Sequence, residues 1–439
     1  MIRLKCSRCG YETSTSRDLV CPVCGSLMHP IHGFEWRIIR EYRGIWRYKY
    51  MLPKTRSHLT LGEASTPLIS SEKIMHETVF FKDEGRNPTG SFRDRAAALI
   101  VSDALDMKAK RIVLASDGNM GASVAAYSAR AGIPVTIYVP SWTDSEKIML
   151  MKAFGANVLI RDKSLDELLR DAEKRARKEK IYNASSTYNA LSIEGLKTIA
   201  IEIVLDLGRS PSEIILPLGS GLTLLSIYHG FTEMLKYGVT TRIPKLIGVE
   251  TCGNPLYSSK LGVASKCGEE PLPGLSYHKP VICDEVLDII QRHGEVVVVS
   301  KREVLEAARK LAREEGLFVE PSSAVALAGA LKIGLNDYSV IILTGHGLKG
   351  PSAYSEKTRE RSTILFPGST KHMIIELLRE NPGLTGYSVW KKLGLKITPQ
   401  AVYQHLHELV EKGYLRIDSR GGVKKYYLNE EFLSKIGRK

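Results

Sequence analysis

The chain has 439 residues, 43% of them hydrophobic and 25% charged, which allows two or three domains and gives the balance of a water-facing globular protein. No apolar run reaches membrane-spanning length, and the start, MIRLKCSRCG, is polar and lacks a secretory signal, so a membrane-spanning or exported chain is excluded and a cytoplasmic one expected. The net charge of +14 sits at the ends: residues 1–60 carry +7 and residues 369–439 carry +6, leaving +1 between them, so a nucleic-acid partner is sought at a basic terminus.

Residues 1–30 form the first segment. Cys6-x2-Cys9 is followed, after eleven residues, by Cys21-Pro22-Val23-Cys24. Each pair can place two thiolates on one tight turn, and two such turns complete the tetrahedron of a structural zinc site, a zinc ribbon. No coordination position stays open, so the expected contribution of zinc is to folding. The cysteines number seven, and their paired spacing argues for metal ligation rather than a disulfide framework.

Residues 31–355 alternate strand-like and helical runs. RIVLAS leads into NMGASVAAYSARAG, then PVTIYVP, EKIMLMKAFG and NVLIR; later come EIILPLGSG, KLIGVE and SVIILTGHG. β-branched strands followed by amphipathic helices predict α/β architecture with a largely parallel sheet. Ligands gather at the carboxyl ends of such strands. Those ends carry the glycine-bearing turns SDGN, PLGSG and TGHG.

A polar link over 356–368 leads to a last segment, 369–439. TKHMIIELLREN predicts a helix and TGYSVWKKLG a short second one. ITPQAVYQHLHELVEKG predicts a third, with Thr398 as N-cap and Pro399 at the first helical position. YLRIDSRGGVKKYYLN reads as two strands around the turn Arg420-Gly421-Gly422. Three helices and a hairpin in this order predict a winged helix-turn-helix, whose third helix enters the DNA major groove. Val402, Leu406 and Leu409 have the spacing of its buried face. Thr398, Gln400, Tyr403, Gln404 and His407 would face the bases, and Arg416, Arg420, Lys424 and Lys425 suit phosphates. The competing reading is a module for protein contact alone. His405 and His407 read as packing or phosphate partners rather than metal ligands.

Seven separated stretches, in order, resemble threonine synthase, a fold-type II enzyme dependent on pyridoxal phosphate (PLP). They are LGEASTPL (61–68), FKDEGRNPTGSFRDR (81–95), SDGN (116–119), EGLKTIAIEI (194–203), PLGSGLTL (217–224), EPSSAVAL (320–327) and TGHGLK (344–349). The resemblance covers residues 1 to about 355 and implies a two-lobed parallel-sheet body. It implies that Gly219, Ser220 and Gly221 aim backbone N–H groups at the cofactor phosphate. It further implies that Asn119 meets the ring hydroxyl, that Thr344 meets the ring nitrogen, and that the loop from Ser116 through Asp117 and Gly118 receives a substrate carboxylate.

The chain departs from that pattern at Arg93, which stands where the family has its Schiff-base lysine. The lysine's task needs a nitrogen that can lose a proton and attack a carbonyl. A guanidinium keeps its charge and is a poor nucleophile, but its fork can hold a phosphate or carboxylate. Asp117 adds a negative charge to the carboxylate loop, although the related diaminopropionate ammonia-lyases also look like DGN there. Leu222 replaces a small residue of the phosphate loop. Lys82, Lys197 and Lys349 lie in matched motifs and are candidates for a substitute amine.

Three readings follow. In the first, a catalytically impaired, threonine-synthase-like body holds PLP without a covalent bond, an amino acid or a phosphorylated amino acid, and its occupancy biases DNA binding by a homodimer. The second is an active threonine synthase or related lyase with a regulatory tail. The third is a non-catalytic partner subunit of a true threonine synthase.

Overall fold

The structure, a computed structural model, describes residues 2–263, 266–354, 370–394, 398–411, 413–419 and 423–429. The chain divides into two compact units, residues 1–354 and 355–439.

The first unit holds two large sheets and a small three-stranded one. The larger runs, in spatial order, Gly294–Val299, Lys245–Thr251, Glu213–Pro217, Val340–Leu343, Phe80–Asp83 and Leu68–Ser70. Its neighbours are parallel except the edge strand Leu68–Ser70, which is antiparallel to Phe80–Asp83. The smaller of the two large sheets is parallel throughout, in the order Asn157–Arg161, Val135–Pro140, Ile112–Ala115 and Tyr182–Asn183. Glu213–Pro217, Val340–Leu343 and Ile112–Ala115 are buried along their whole length, as strands are when helices cover both faces.

The helix Arg93–Asp106 is buried from Asp94 to Ala104. Its run of alanines lets the helix Leu191–Leu196 come close: a Cβ on Gly195 would lie 2.6 Å from Arg95 O and 2.7 Å from Ala96 Cα. Backbone cannot yield as a side-chain tip can. Gly195→Ala is therefore expected to destabilise this unit by about 1–3 kcal/mol, read as a lower denaturant midpoint.

Beside that contact lies a buried ionic cluster. Arg95 donates from Nε and Nη2 to Glu84 and from Nη1 and Nη2 to Glu202, at 2.7–2.9 Å. Lys82 lies 2.9 Å from Glu202 and donates to Thr66 O at 2.7 Å. A second cluster holds Lys197 against Glu194 at 2.5 Å and Glu233 at 2.6 Å. Lys82 and Lys197 are thus fully buried structural ion-pair partners, and neither lines the cavity described below, which corrects their candidacy as substitute amines.

The sequence set residues 1–30 apart, but they share the body's core. Leu4–Cys6 pairs with Glu12–Thr13 and Met28–Pro30. Leu4, Leu19, Leu27 and Met28 join the hydrophobic cluster that contains Leu99 and Leu196. Arg17 is buried against Asp103 at 2.7 Å, and His32 against Glu194 at 3.1 Å. Outside the four paired cysteines, for which metal ligation rather than a disulfide framework is expected, Cys252 and Cys267 form a disulfide.

The second unit contains helices Thr370–Glu380, Gly386–Leu393 and Pro399–Glu411. An antiparallel sheet follows the order Leu384–Thr385, Lys425–Leu428, Leu415–Asp418. Val402, Leu406 and Leu409 are buried, as their spacing predicts. The 356–368 link and the Arg420–Gly422 turn lie outside the described residues. Among the described residues no helix is long and apolar enough to cross a membrane.

Candidate ligand pocket

Strand ends from both sheets and the start of the Arg93 helix converge on one cavity of about 60 Å³. Ser116, Asp117 and Asn119 follow Ile112–Ala115; Gly219, Ser220 and Gly221 follow Glu213–Pro217; Thr344 follows Val340–Leu343, and all line it with Arg93. The three glycine-bearing turns and Arg93 therefore meet in space.

Local geometry explains each placement. Ser116 Oγ accepts from Gly118 N at 3.1 Å and Gly121 N at 3.0 Å, which shapes the turn into the helix Asn119–Ala131. Gly118 has φ +151°, and a Cβ there would sit 2.3 Å from Lys147 Cδ. Gly221 has φ +84° immediately before the helix Leu222–Lys236, and a Cβ there would meet Tyr257 Oη at 2.6 Å. Leu222, the departure in this loop, points into the core.

The cavity contains two cations and two acids. Arg93 stacks over the Phe92 ring, 4.5 Å from its centroid, and its Nη1 is buried without a hydrogen-bond partner. Burial lowers its pKa against the opposing fields of Tyr277, Asp117 and Glu320. Burial also pushes the Asp117 carboxyl up, while Lys147 and the Gly274 N–H, 2.9 Å from Oδ2, oppose the shift. Glu320 accepts from Asn119 Nδ2 at 2.6 Å and lies 3.4 Å from Lys147 Nζ. Burial disfavours the Lys147 ammonium, but Glu320 and Asp144 outweigh it and raise its pKa.

Lys147 and Glu320 are pocket residues to which sequence reasoning gave no role. Gly274, Leu275 and Tyr277, which also line the cavity, were missed as well. Lys349 does not line the cavity, but it donates to Thr89 O at 2.8 Å beside the Arg93 turn, and burial lowers its pKa to about 8.

Elsewhere, the Sγ atoms of Cys6, Cys9, Cys21 and Cys24 lie within 4.8 Å of one another. Cys6–Cys24 is 3.4 Å and Cys9–Cys21 is 3.6 Å, close to the edge of about 3.8 Å that a tetrahedron of 2.3 Å Zn–S bonds requires. In the second unit Thr398 Oγ1 accepts from Ala401 N at 3.3 Å, which fits its role as a cap. Gln400, Tyr403, Gln404, His407, Arg416, Lys424 and Lys425 are exposed, with the Tyr403 ring over Gly386. Arg420 lies outside the described residues. His405 Nδ1 is buried without a hydrogen-bond partner.

Comparison with protein families matches residues 59–345 to the family described as pyridoxal-phosphate dependent enzyme. The chain belongs to this family. Among its relatives, the threonine synthase of Methanosarcina acetivorans is 33% identical over 390 residues, 83% of this chain and 96% of its own. The threonine synthase of Methanocaldococcus jannaschii is 32% identical, covering 81% of this chain and 95% of its own. The fold is the fold-type II one of these PLP enzymes. An O-ureido-L-serine-bound mutant of O-ureido-L-serine synthase superposes with a TM-score of 0.56 at 22% identity, covering 74% of this chain and 99% of that one. The cysteine synthase of Entamoeba histolytica gives a TM-score of 0.56 at 21% identity, covering 67% and 89%.

The family's cofactor fits one end of this pocket. The glycine turn 219–221 at a helix N-terminus suits a phosphate, and Asn119 and Thr344 line the same cavity. Arg93 on the wall cannot itself form a covalent link to an aldehyde, because a guanidinium stays protonated.

Proposed function

We propose that this chain keeps its family's ligand pocket without the covalent link at residue 93, and that a ligand held there biases DNA binding by the second unit. The observation that carries the first half is Arg93 on the cavity wall. A guanidinium remains protonated and does not attack aldehydes, while its fork suits an anion. The DNA half is supported by the +6 charge of residues 369–439, by helix and strand order, and by the exposed polar face of the helix Pro399–Glu411. Coupling requires the ligand to favour one DNA-binding state over the other. A structural zinc on the four cysteines, a cytoplasmic location and a homodimer on a two-fold DNA site complete the reading.

The second reading is an active threonine synthase or related lyase in which another lysine supplies the amine. The comparisons favour it over the regulator, since the relatives named above are threonine synthases. Lys147 on the cavity wall and Lys349 beside the Arg93 turn are its candidates. One experiment separates the readings: incubate the purified chain with PLP, reduce with borohydride and map the peptides. The first reading expects no specific adduct. An adduct on Lys147 or Lys349 would sink it and call for a lyase assay with phosphohomoserine.

For the DNA half, binding is expected to weaken steeply with salt. Lys424→Ala combined with Lys425→Ala should reduce the slope of log K against log salt by about 2. Mobility shifts that fail at low salt would remove the DNA half and leave the pocket.

A further inference from the structure

We propose that a groove distinct from the strand-end cavity binds a nucleoside triphosphate. It lies at the opposite edge of the four-stranded sheet. Residues 107–111, on its wall, lead into the strand Ile112–Ala115, whose other end leads to Ser116 and the cavity. Its volume is about 710 Å³, within the roughly 300–1,000 Å³ of pockets that take small molecules. Charge on its rim is one-sided. Lys108, Lys110, Arg111 and Lys180 are exposed there, and among the described residues no carboxylate lies within ion-pairing distance of any of the four. The acids on the same wall are already taken: Asp18 by Arg177 at 3.0 Å, Glu173 by Arg177 and by Asn183 Nδ2 at 2.6 Å, and Glu179 by Arg175 at 3.0 Å.

Converging cations repel one another, and a ligand with several negative charges removes that cost. A triphosphate presents such charges in a row, and the Arg111 fork suits one phosphate in two parallel bonds. Between the cations the floor is apolar. Met107, Ile181 and Tyr188 are half-buried on it and offer a surface to a planar base. The backbone gives an independent sign that the charges matter. Lys108 follows the helix Arg93–Asp106 at φ +55°, with Lys108 N donating to Leu105 O and Ala109 N to Ala104 O. Lys180 ends the helix Leu165–Glu179 at φ +51°, with Ile181 N donating to Ala176 O. Glycine is the ordinary residue for such left-handed exits, because a Cβ is unfavourable there. The helices Asn119–Ala131 and Thr198–Leu207 use it, at Gly132 and Gly208. Lysine stands in its place at two exits, and both line the groove.

The test is calorimetry on the full chain with ATP, GTP, CTP and UTP titrated singly in EDTA, and with tripolyphosphate and adenosine as part-ligands. At least one nucleotide is expected to bind saturably, with both part-ligands at least tenfold weaker. Glycine fits both left-handed positions, so Lys108→Gly combined with Lys180→Gly removes two charges without forcing the backbone to move. This double variant should bind the nucleotide at least tenfold more weakly while its melting temperature holds or rises. The strand-end cavity and the second unit also suit phosphates, so the site is read directly. An azido analogue of the bound nucleotide, photolysed on the unaltered chain, should label peptides holding residues 107–111 or 181–188. That readout stands even where the variant folds poorly. If no nucleotide binds, if the double variant binds as tightly as the unaltered chain, or if the label is confined to residues 217–224 or 399–411, the inference is overturned. Tripolyphosphate binding as tightly as the nucleotides would overturn the assignment of a nucleoside ligand.

Discussion

Replacing Arg95 by methionine is expected to lower the unfolding free energy of residues 1–354 by about 3–5 kcal/mol, the cost of breaking a buried ion pair from one side. Arg95 is fully buried and serves two carboxylates, Glu84 and Glu202, themselves 0% and 2% exposed. Lys82 would still face Glu202, but Glu84 would lose its charged partner. Adding Glu84→Gln to Arg95→Met should recover part of the loss. Urea unfolding followed through the buried Trp46 reads both effects. Acid gives a second readout. Burial alone would raise the Glu202 pKa, yet Arg95 and Lys82 reverse this and hold it well below the usual carboxylate range. A depressed folded pKa stabilises fully above the unfolded value of about 4.3 and is lost as pH falls through the folded value. The unaltered chain should therefore lose stability steeply below about pH 4, and Arg95→Met much less so. Equal acid sensitivity in the two chains would show that the cluster is not what the stability rests on.

The second large effect is expected from Arg93→Lys. Exposed to PLP and reduced with borohydride, this variant should carry one adduct at position 93 at close to one per chain, where the unaltered chain carries none there. The reason is confined to one nitrogen: a lysine can lose its proton and attack, whereas a guanidinium holds its charge at any working pH. Gly219, Ser220 and Gly221, with Asn119 and Thr344, already line the same cavity as residue 93. No adduct in the variant would mean that the loss extends beyond residue 93, with the lining residues Gly274, Leu275 and Tyr277 and with Leu222 as the places to look.

Much of the pocket was legible because its parts are local. The turns at 116–119, 219–221 and 344 sit at strand ends, and parallel pairing brings strand ends to one edge of a sheet. Lys147 was hidden for the opposite reason. It lies in the first turn of the helix Ser145–Ala153, where it reads as an ordinary charged residue. Its reach into the cavity depends on Gly118, distant in sequence, having no side chain. Glu320 stood in a recognised motif, but its partners Asn119 and Lys147 come from other elements. The lining stretch 274–277 had no periodicity to detect, and the pairing of Cys252 with Cys267 depends on a loop path that spacing does not fix. Lys82 and Lys197 show the converse error. Position in a motif made them candidates for chemistry, whereas their partners make them part of the interior frame.

The shared core of residues 1–30 and the body bears on how this protein can be shortened. The family match begins at residue 59, yet a chain started there loses Tyr48, whose hydroxyl donates to Glu202, and Arg17, which neutralises the buried Asp103. It also loses His32, one of the groups that face Glu194. Homology marks where sequences align, and here that border cuts through a continuous interior. The compact unit is 1–354, so a trimmed chain should be judged against that length before any loss of binding is attributed to the pocket.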